Sequence, residues 1–239
     1  MVKNAVRGAL PGEPGEPGGG GDGGDGGDVA SRVARRTLDR RGADYADEVR
    51  RLLDAGLAVM RRCGTESRPR VADIVTAAGL SNDAFYRHFP SKDALVAAIL
   101  EDGNERLGAY VAHQMTKVAT PEGQVRRWVE GVMSQADDDI AATTLAVMWN
   151  AGGPLAGVPA ASTDPVARPL VAPLAALGSA DPELDAALLV PAMFGRLRVH
   201  LFAGTRPGPR EIDHLVGFCL GVARAGAAGV DIDRQAGKE

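Results

Sequence analysis

Apolar residues recur three and four positions apart along most of the chain, the period of helices that bury one face. From Ala43 to Arg62, the residues Tyr45, Val49, Leu52, Leu53, Gly56 and Met60 fall on one such face. Gly64 follows, able to take positive φ and end the helix. A short second helix is predicted from Arg70 to Ala78, entered through Pro69 and lined inside by Val71, Ile74 and Ala78. Gly79 breaks it. Ser81 can cap a third helix over residues 82–89, whose inner side carries Phe85 and Phe89. Pro90 ends that helix, and Ser91 caps a fourth that passes Leu95, Ile99 and Leu107 towards Gln114.

Beyond residue 117 the pattern stays helical. Expected elements are Pro121–Gln135, with Val125, Trp128, Val129 and Val132 buried, then Asp139–Trp149, a Gly/Pro-rich loop at Ala151–Asp164, and Pro165–Leu177. Asp181-Pro182-Glu183 reads as a helix start that continues to Phe202, with a kink at Pro191, and the last helix is Pro209–Ala227. No segment reads as a strand. The fold class expected is all-α.

Residues 1–30 depart from this pattern. Residues 11–28 are only Gly, Pro, Asp and Glu, too polar to offset the entropy of ordering, so a flexible tail is expected. Glycine falls at every third position from Gly12 to Gly27, too short a run for a collagen triple helix. The acidic tail also explains why a formal net charge of -4 hides a basic region, since Arg32, Arg35, Arg36, Arg40, Arg41, Arg50 and Arg51 follow it. The arginines at 32–41 suit either a DNA-following arm or a solvated linker.

The remaining chemistry is mostly exclusion. Cys63 and Cys219 have no partner at metal or redox spacing and read as small buried hydrophobes. The histidines, His88, His113, His200 and His214, form no metal or catalytic motif, and the glycine run lacks the Lys-Ser/Thr of a phosphate loop. Neither an enzyme, a cofactor nor a metal site is expected. With no apolar leader and no run of 18 or so uncharged apolar residues, the reading is of a cytoplasmic protein that does not enter membranes.

Three short helices, the second and third joined at Gly79-Leu80-Ser81, form a helix-turn-helix pattern. Phe85 and Phe89 can hold the third helix down while Asn82 and Asp83 stand at its exposed start. Asn can bond adenine bidentately and Asp can accept from cytosine, so both are candidates for reading base edges. Arg87 suits guanine or phosphate. Asp83 needs a cytosine or Arg87 nearby to offset its repulsion by phosphates. Ser81 and the free N–H groups at Ser91–Asp93 suit phosphate oxygens, and Thr76 suits a phosphate or a base.

The string Val71 to Leu95, with Ala78-Gly79-Leu80-Ser81, Phe85-Tyr86, His88-Phe89 and Ser91-Lys92-Asp93-Ala94-Leu95, resembles the DNA-binding signature of the TetR family. The resemblance covers roughly residues 44–100. It implies that Tyr86, His88 and Lys92 contact phosphates, and that the chain is a transcriptional regulator. In the usual form this is a repressor, binding a pseudo-palindromic duplex as a homodimer and released by an unidentified small molecule. A DNA-binding protein that needs no ligand is the alternative. Domains are accordingly expected at 1–42 (tail and basic arm), 43–95 (helix-turn-helix) and 96–239 (effector binding and dimerisation, through helices 182–202 and 209–225). Trp128, Met133, Met148, Trp149, Met193, Phe194 and His200 are candidates to line an effector cavity, against a competing role as plain core.

Deleting residues 1–28 is expected to leave the melting temperature and oligomeric state unchanged. A large fall in either would contradict the reading of that segment as a flexible tail.

Overall fold

A computed structural model describes residues 28–150 and 164–227. Of the tail expected over residues 1–30 and the loop expected over Ala151–Asp164, residues 1–27 and 151–163 lie outside the described residues, while Val29 and Ala30 are helical. The chain divides into two compact units, Met1–Ala43 and Asp44–Glu239. The described part of the first is the opening of helix α1 (Val29–Cys63), and all its side chains are exposed. The pattern of buried positions starts a helix at residue 43; the structure starts it at Val29. Ala30, Arg32, Ala34, Arg35, Arg36 and Leu38 are strong helix formers, and an exposed helix needs no apolar stripe to be helical. The basic arm is therefore helix from residue 29 onward.

In the second unit follow α2 (Val71–Ala78), α3 (Asn82–His88), α4 (Lys92–Met115), α5 (Pro121–Met133), α6 (Asp138–Asn150), α7 (Val171–Ala176), α8 (Pro182–Ala203) and α9 (Pro209–Ala227). Short 3-10 turns at Ser134–Ala136 and Arg168–Leu170 extend or precede these, and no strand occurs among the described residues. The caps are those the sequence offers. Ser81, Ser91, Thr120 and Asp181 each accept a hydrogen bond from the backbone N–H three residues on, satisfying a donor the helix itself leaves free. Pro121 and Pro182 occupy first-turn positions where no N–H is needed. α8 continues through Pro191.

Two hydrophobic cores result. The first gathers Leu52, Val59 and Met60 of α1, Ile74 and Val75 of α2, Phe85 and Phe89, and Leu95 and Ile99 of α4, and Ala146 and Val147 of α6 join it. The second gathers Leu107 and Val111 of α4, Val125, Trp128 and Val132 of α5, and Leu189, Met193 and Leu197 of α8, closed by Leu215 and Cys219 of α9. α4 thus contributes its first half to one core and its second half to the other. α8 is long and apolar enough to cross a membrane by length and composition. It carries Arg196 and Arg198, however, and Leu189, Met193 and Leu197 are buried in the second core, as in the central helix of a bundle.

Trp128 is buried to 0% exposure, and its indole N–H donates to the Val166 carbonyl at 2.8 Å, anchoring the segment before α7. Beside it α4 presents Gly108, where an added Cβ would lie 2.3 Å from the Pro165 carbonyl oxygen. Backbone cannot retreat as a flexible side chain can. Gly108→Ala is expected to destabilise the chain by about 1–3 kcal/mol in urea unfolding; an unchanged midpoint would contradict this approach of α4 to Pro165.

Candidate nucleic-acid interface

The turn between α2 and α3 is built from one residue that can take a left-handed conformation and one long cation. Gly79 has φ +64°, and its N–H and that of Leu80 fold back onto the carbonyls of Thr76 and Val75, closing the end of α2. The turn carbonyls are then taken by Arg51 of α1. Its Nη2 donates to Ala78 O at 2.6 Å and to Gly79 O at 3.1 Å, and its Nε donates to Ala78 O at 3.1 Å. A Cβ at residue 79 would stand 3.2 Å from that Nη2, so glycine serves both the backbone angle and the space for Arg51.

A second tie holds the far end of α3. The Glu48 carboxylate on α1 accepts from Arg87 Nη1 at 3.1 Å and meets His88 Nε2 at 2.6 Å. These bonds, that from His88 first and then the charges of Arg87, His88 and Arg51, hold the Glu48 carboxyl below its ordinary pKa. An ionised Glu48 is acceptor only, which assigns the shared proton to His88 Nε2. The His88 side chain is 0% exposed, its Nδ1 is buried without a partner among the described residues, and the Tyr45 ring meets it edge-on at 4.3 Å between centroids. Between the two ties Phe85, at 0% exposure, seats α3 on the first core.

Ala84 is buried beside Phe85, and the remaining side chains of α3 point to solvent. Asn82, Asp83 and Tyr86 are exposed, as are Ser81, whose Oγ is engaged in capping, and Thr76, whose hydroxyl donates back to Ala72 O at 2.7 Å. Lys92 is half-buried at the start of α4. Asp83 does not pair with Arg87, which is turned to Glu48 instead. His88 is not on the outward rim with Tyr86: it lies beneath α3, facing α1. The structure thus brings Asn82, Asp83 and Tyr86 onto one exposed edge and sets His88 apart from them. Glu48 did not stand out in the sequence, and Tyr45 and Arg51 did so only as a stripe residue and one of a basic run, because their partners lie 27 residues away or more.

The candidates for an effector cavity separate in the same way. A cavity of about 390 Å³ lies between α1, α4, α6 and α8, and of the seven candidates Met148 and Phe194 line it. Trp128, Met133 and Met193 are instead packed in the second core, where shape and apolarity alone account for them. Trp149 is exposed, its ring 5.9 Å from that of Phe202. His200 is buried, bonded through Nδ1 to Thr205 Oγ1 and through Nε2 to Glu211 at 2.9 Å each. Glu211 also accepts from Arg196, and these two donors, Arg196 foremost, hold its carboxyl below the ordinary value. Cys219 is buried so completely that its thiol is pushed up to about 12, which leaves it unreactive.

Over residues 52–99 the sequence matches the profile of the bacterial regulatory proteins of the tetR family. No curated protein matches the chain. Solved structures similar to it include the transcriptional regulator FadR from Bacillus subtilis in complex with stearoyl-CoA, at 14% identity and a TM-score of 0.50, covering 74% of this chain and 97% of that one. Others are the fatty acid degradation regulator FadR from Bacillus halodurans, at 14%, 0.48, 77% and 96% on the same measures, and a TetR-family transcriptional regulator from Streptomyces coelicolor, at 20%, 0.48, 76% and 97%. At 14% identity the likeness to the first is one of fold.

The Glu48 tie has a pH signature. A carboxyl whose folded pKa is depressed adds stability that is fully present above its unfolded pKa and is lost as pH falls through the folded value. Glu48→Gln is therefore expected to lower the urea midpoint at neutral pH, and that difference to shrink as pH drops below about 4. A difference that is absent at neutral pH, or independent of pH, would contradict the ionised hub.

Proposed function

Because its DNA-binding domain belongs to the tetR family of bacterial regulatory proteins, making the chain a DNA-binding transcriptional regulator, we propose that it is a cytoplasmic, non-enzymatic repressor. In this reading it binds a pseudo-palindromic operator as a homodimer and leaves it when a small molecule binds. The observation that carries the reading is α3 itself: Phe85 is fully buried beneath it while Asn82, Asp83 and Tyr86 stand together in solvent. A helix turned this way can enter a major groove with its first residues against base edges.

Within that reading Asn82 and Asp83 read bases, while Tyr86, Lys92, Ser81, Thr76 and the N–H groups at the start of α4 position phosphates. Arg87 and His88 serve chiefly through Glu48, setting the pitch of α3 against α1. Dimerisation is supported by the outward apolar stripe of α8, formed by Leu184, Leu188, Val199 and Phe202, and by Phe218 of α9, which lies between the exposed Gly217 and Gly221. Two copies of such helices pack as a four-helix bundle and place two α3 helices about one DNA turn, roughly 34 Å, apart. Effector control is supported by the cavity beside the first core.

Lys92→Ala is expected to weaken binding to all duplexes alike and to lower the salt slope by roughly one unit. Asn82→Ala is expected to cost about 1–3 kcal/mol at one base pair per half-site only. Fluorescence anisotropy across operator variants and salt concentrations separates the two. If both substitutions act identically on every duplex, the division into reading and positioning residues fails.

A further inference from the structure

The cavity between α1, α4, α6 and α8 has walls of two kinds. Leu57, Ile99, Leu107, Val147, Met148 and Phe194 give it an apolar side. Arg61, Asn104, Gln135, Thr143 and Thr144 give it a polar side. Among the described residues none of these five side chains has a hydrogen-bond or ion-pair partner. Arg106 also lines the space, but Asp102 holds it at 2.9 Å. No Asp or Glu is among the described residues lining it, so its one unpaired charge is the Arg61 guanidinium.

Polar groups gathered without partners against an apolar wall are satisfied by water or by a ligand with a polar end. A guanidinium favours a planar carboxylate, which it can bond through two parallel N–H groups. The volume of about 390 Å³ lies in the lower part of the range of small-molecule sites, roughly 300–1,000 Å³, which suits a small amphiphile. We infer that this cavity binds an amphiphilic carboxylate, its acid group at Arg61 and its chain along Ile99, Val147 and Phe194. This deepens the effector site proposed above and rests on that reading. It also supplies the coupling: Ile99 and Val147 belong to the first core, and Leu57 packs against it, so a molecule in the cavity abuts the core on which α3 sits.

Isothermal titration of the full chain with decanoate, decanol and decyltrimethylammonium, each below its micelle concentration, tests the inference. Decanoate is expected to bind once per chain. Arg61→Gln is expected to weaken decanoate by about tenfold or more while leaving decanol unaffected. Gly103→Leu is expected to abolish binding of both with helicity retained, because a side chain there enters open space in the cavity. Equal affinity for the ammonium and the carboxylate, indifference to Arg61→Gln, or no binding at all would overturn it. Gel shift separates this result from the switch: decanoate that binds as described but leaves the operator complex intact upholds the site and refutes effector release by it. Release of DNA by a neutral compound, with no decanoate binding, refutes the site and upholds release.

Discussion

Seven residues make barely two turns of helix, and a helix that short does not hold together in water on its own. Every role assigned to α3 depends on what clamps it. Three attachments do so, all reaching α1: Phe85 in the first core, Arg51 on the turn carbonyls before α3, and Glu48 on Arg87 and His88 at its end. The arrangement divides labour by face. Residues 85 and 88 look inward and are spent on attachment, which frees Asn82, Asp83 and Tyr86 to remain in solvent without the helix fraying.

The same economy connects the first core to the rest of the second unit. α4 enters that core through Leu95 and Ile99 and leaves through Leu107 and Val111 into the second, so its two halves answer to different neighbours. α6 adds a second connection, since Ala146 and Val147 are counted in the first core while Leu145 and Met148 pack against the other. The cavity opens where these helices converge, and its contents therefore press on elements that also seat α3. At the opposite end, Glu211 draws Arg196 and His200 together and fixes α9 against α8, which settles which face of that pair is buried and which stays outward.

Much of this was legible in the sequence, and the reasons are local. Helix starts at Ser81, Ser91 and Asp181, the stop at Gly79, and the buried stripe of α5 depend on residues within one turn of each other, which periodicity and capping chemistry capture. The start of α1 was not legible by the same rule. An exposed arginine-rich helix has no apolar stripe to announce it. His88 illustrates the other limit: its neighbours Tyr86 and Arg87 are exposed, and only the fold reveals that Glu48, forty residues earlier, waits beneath it. Trp128 and Met193 were candidates for a cavity because large soft side chains suit one. They fill the core instead, and beside Met148 and Phe194 the cavity wall carries shorter residues such as Thr143 and Val147, which no stripe singles out.

The central claim is that a clamped α3 offers a specific polar edge to duplex DNA from a two-fold assembly. Repeated selection of random duplex oligonucleotides by the purified full-length protein measures this most directly. The account predicts enrichment of an inverted repeat whose half-sites lie about one helical turn apart. Selection that yields no common sequence, or a lone half-site without symmetry, would contradict it.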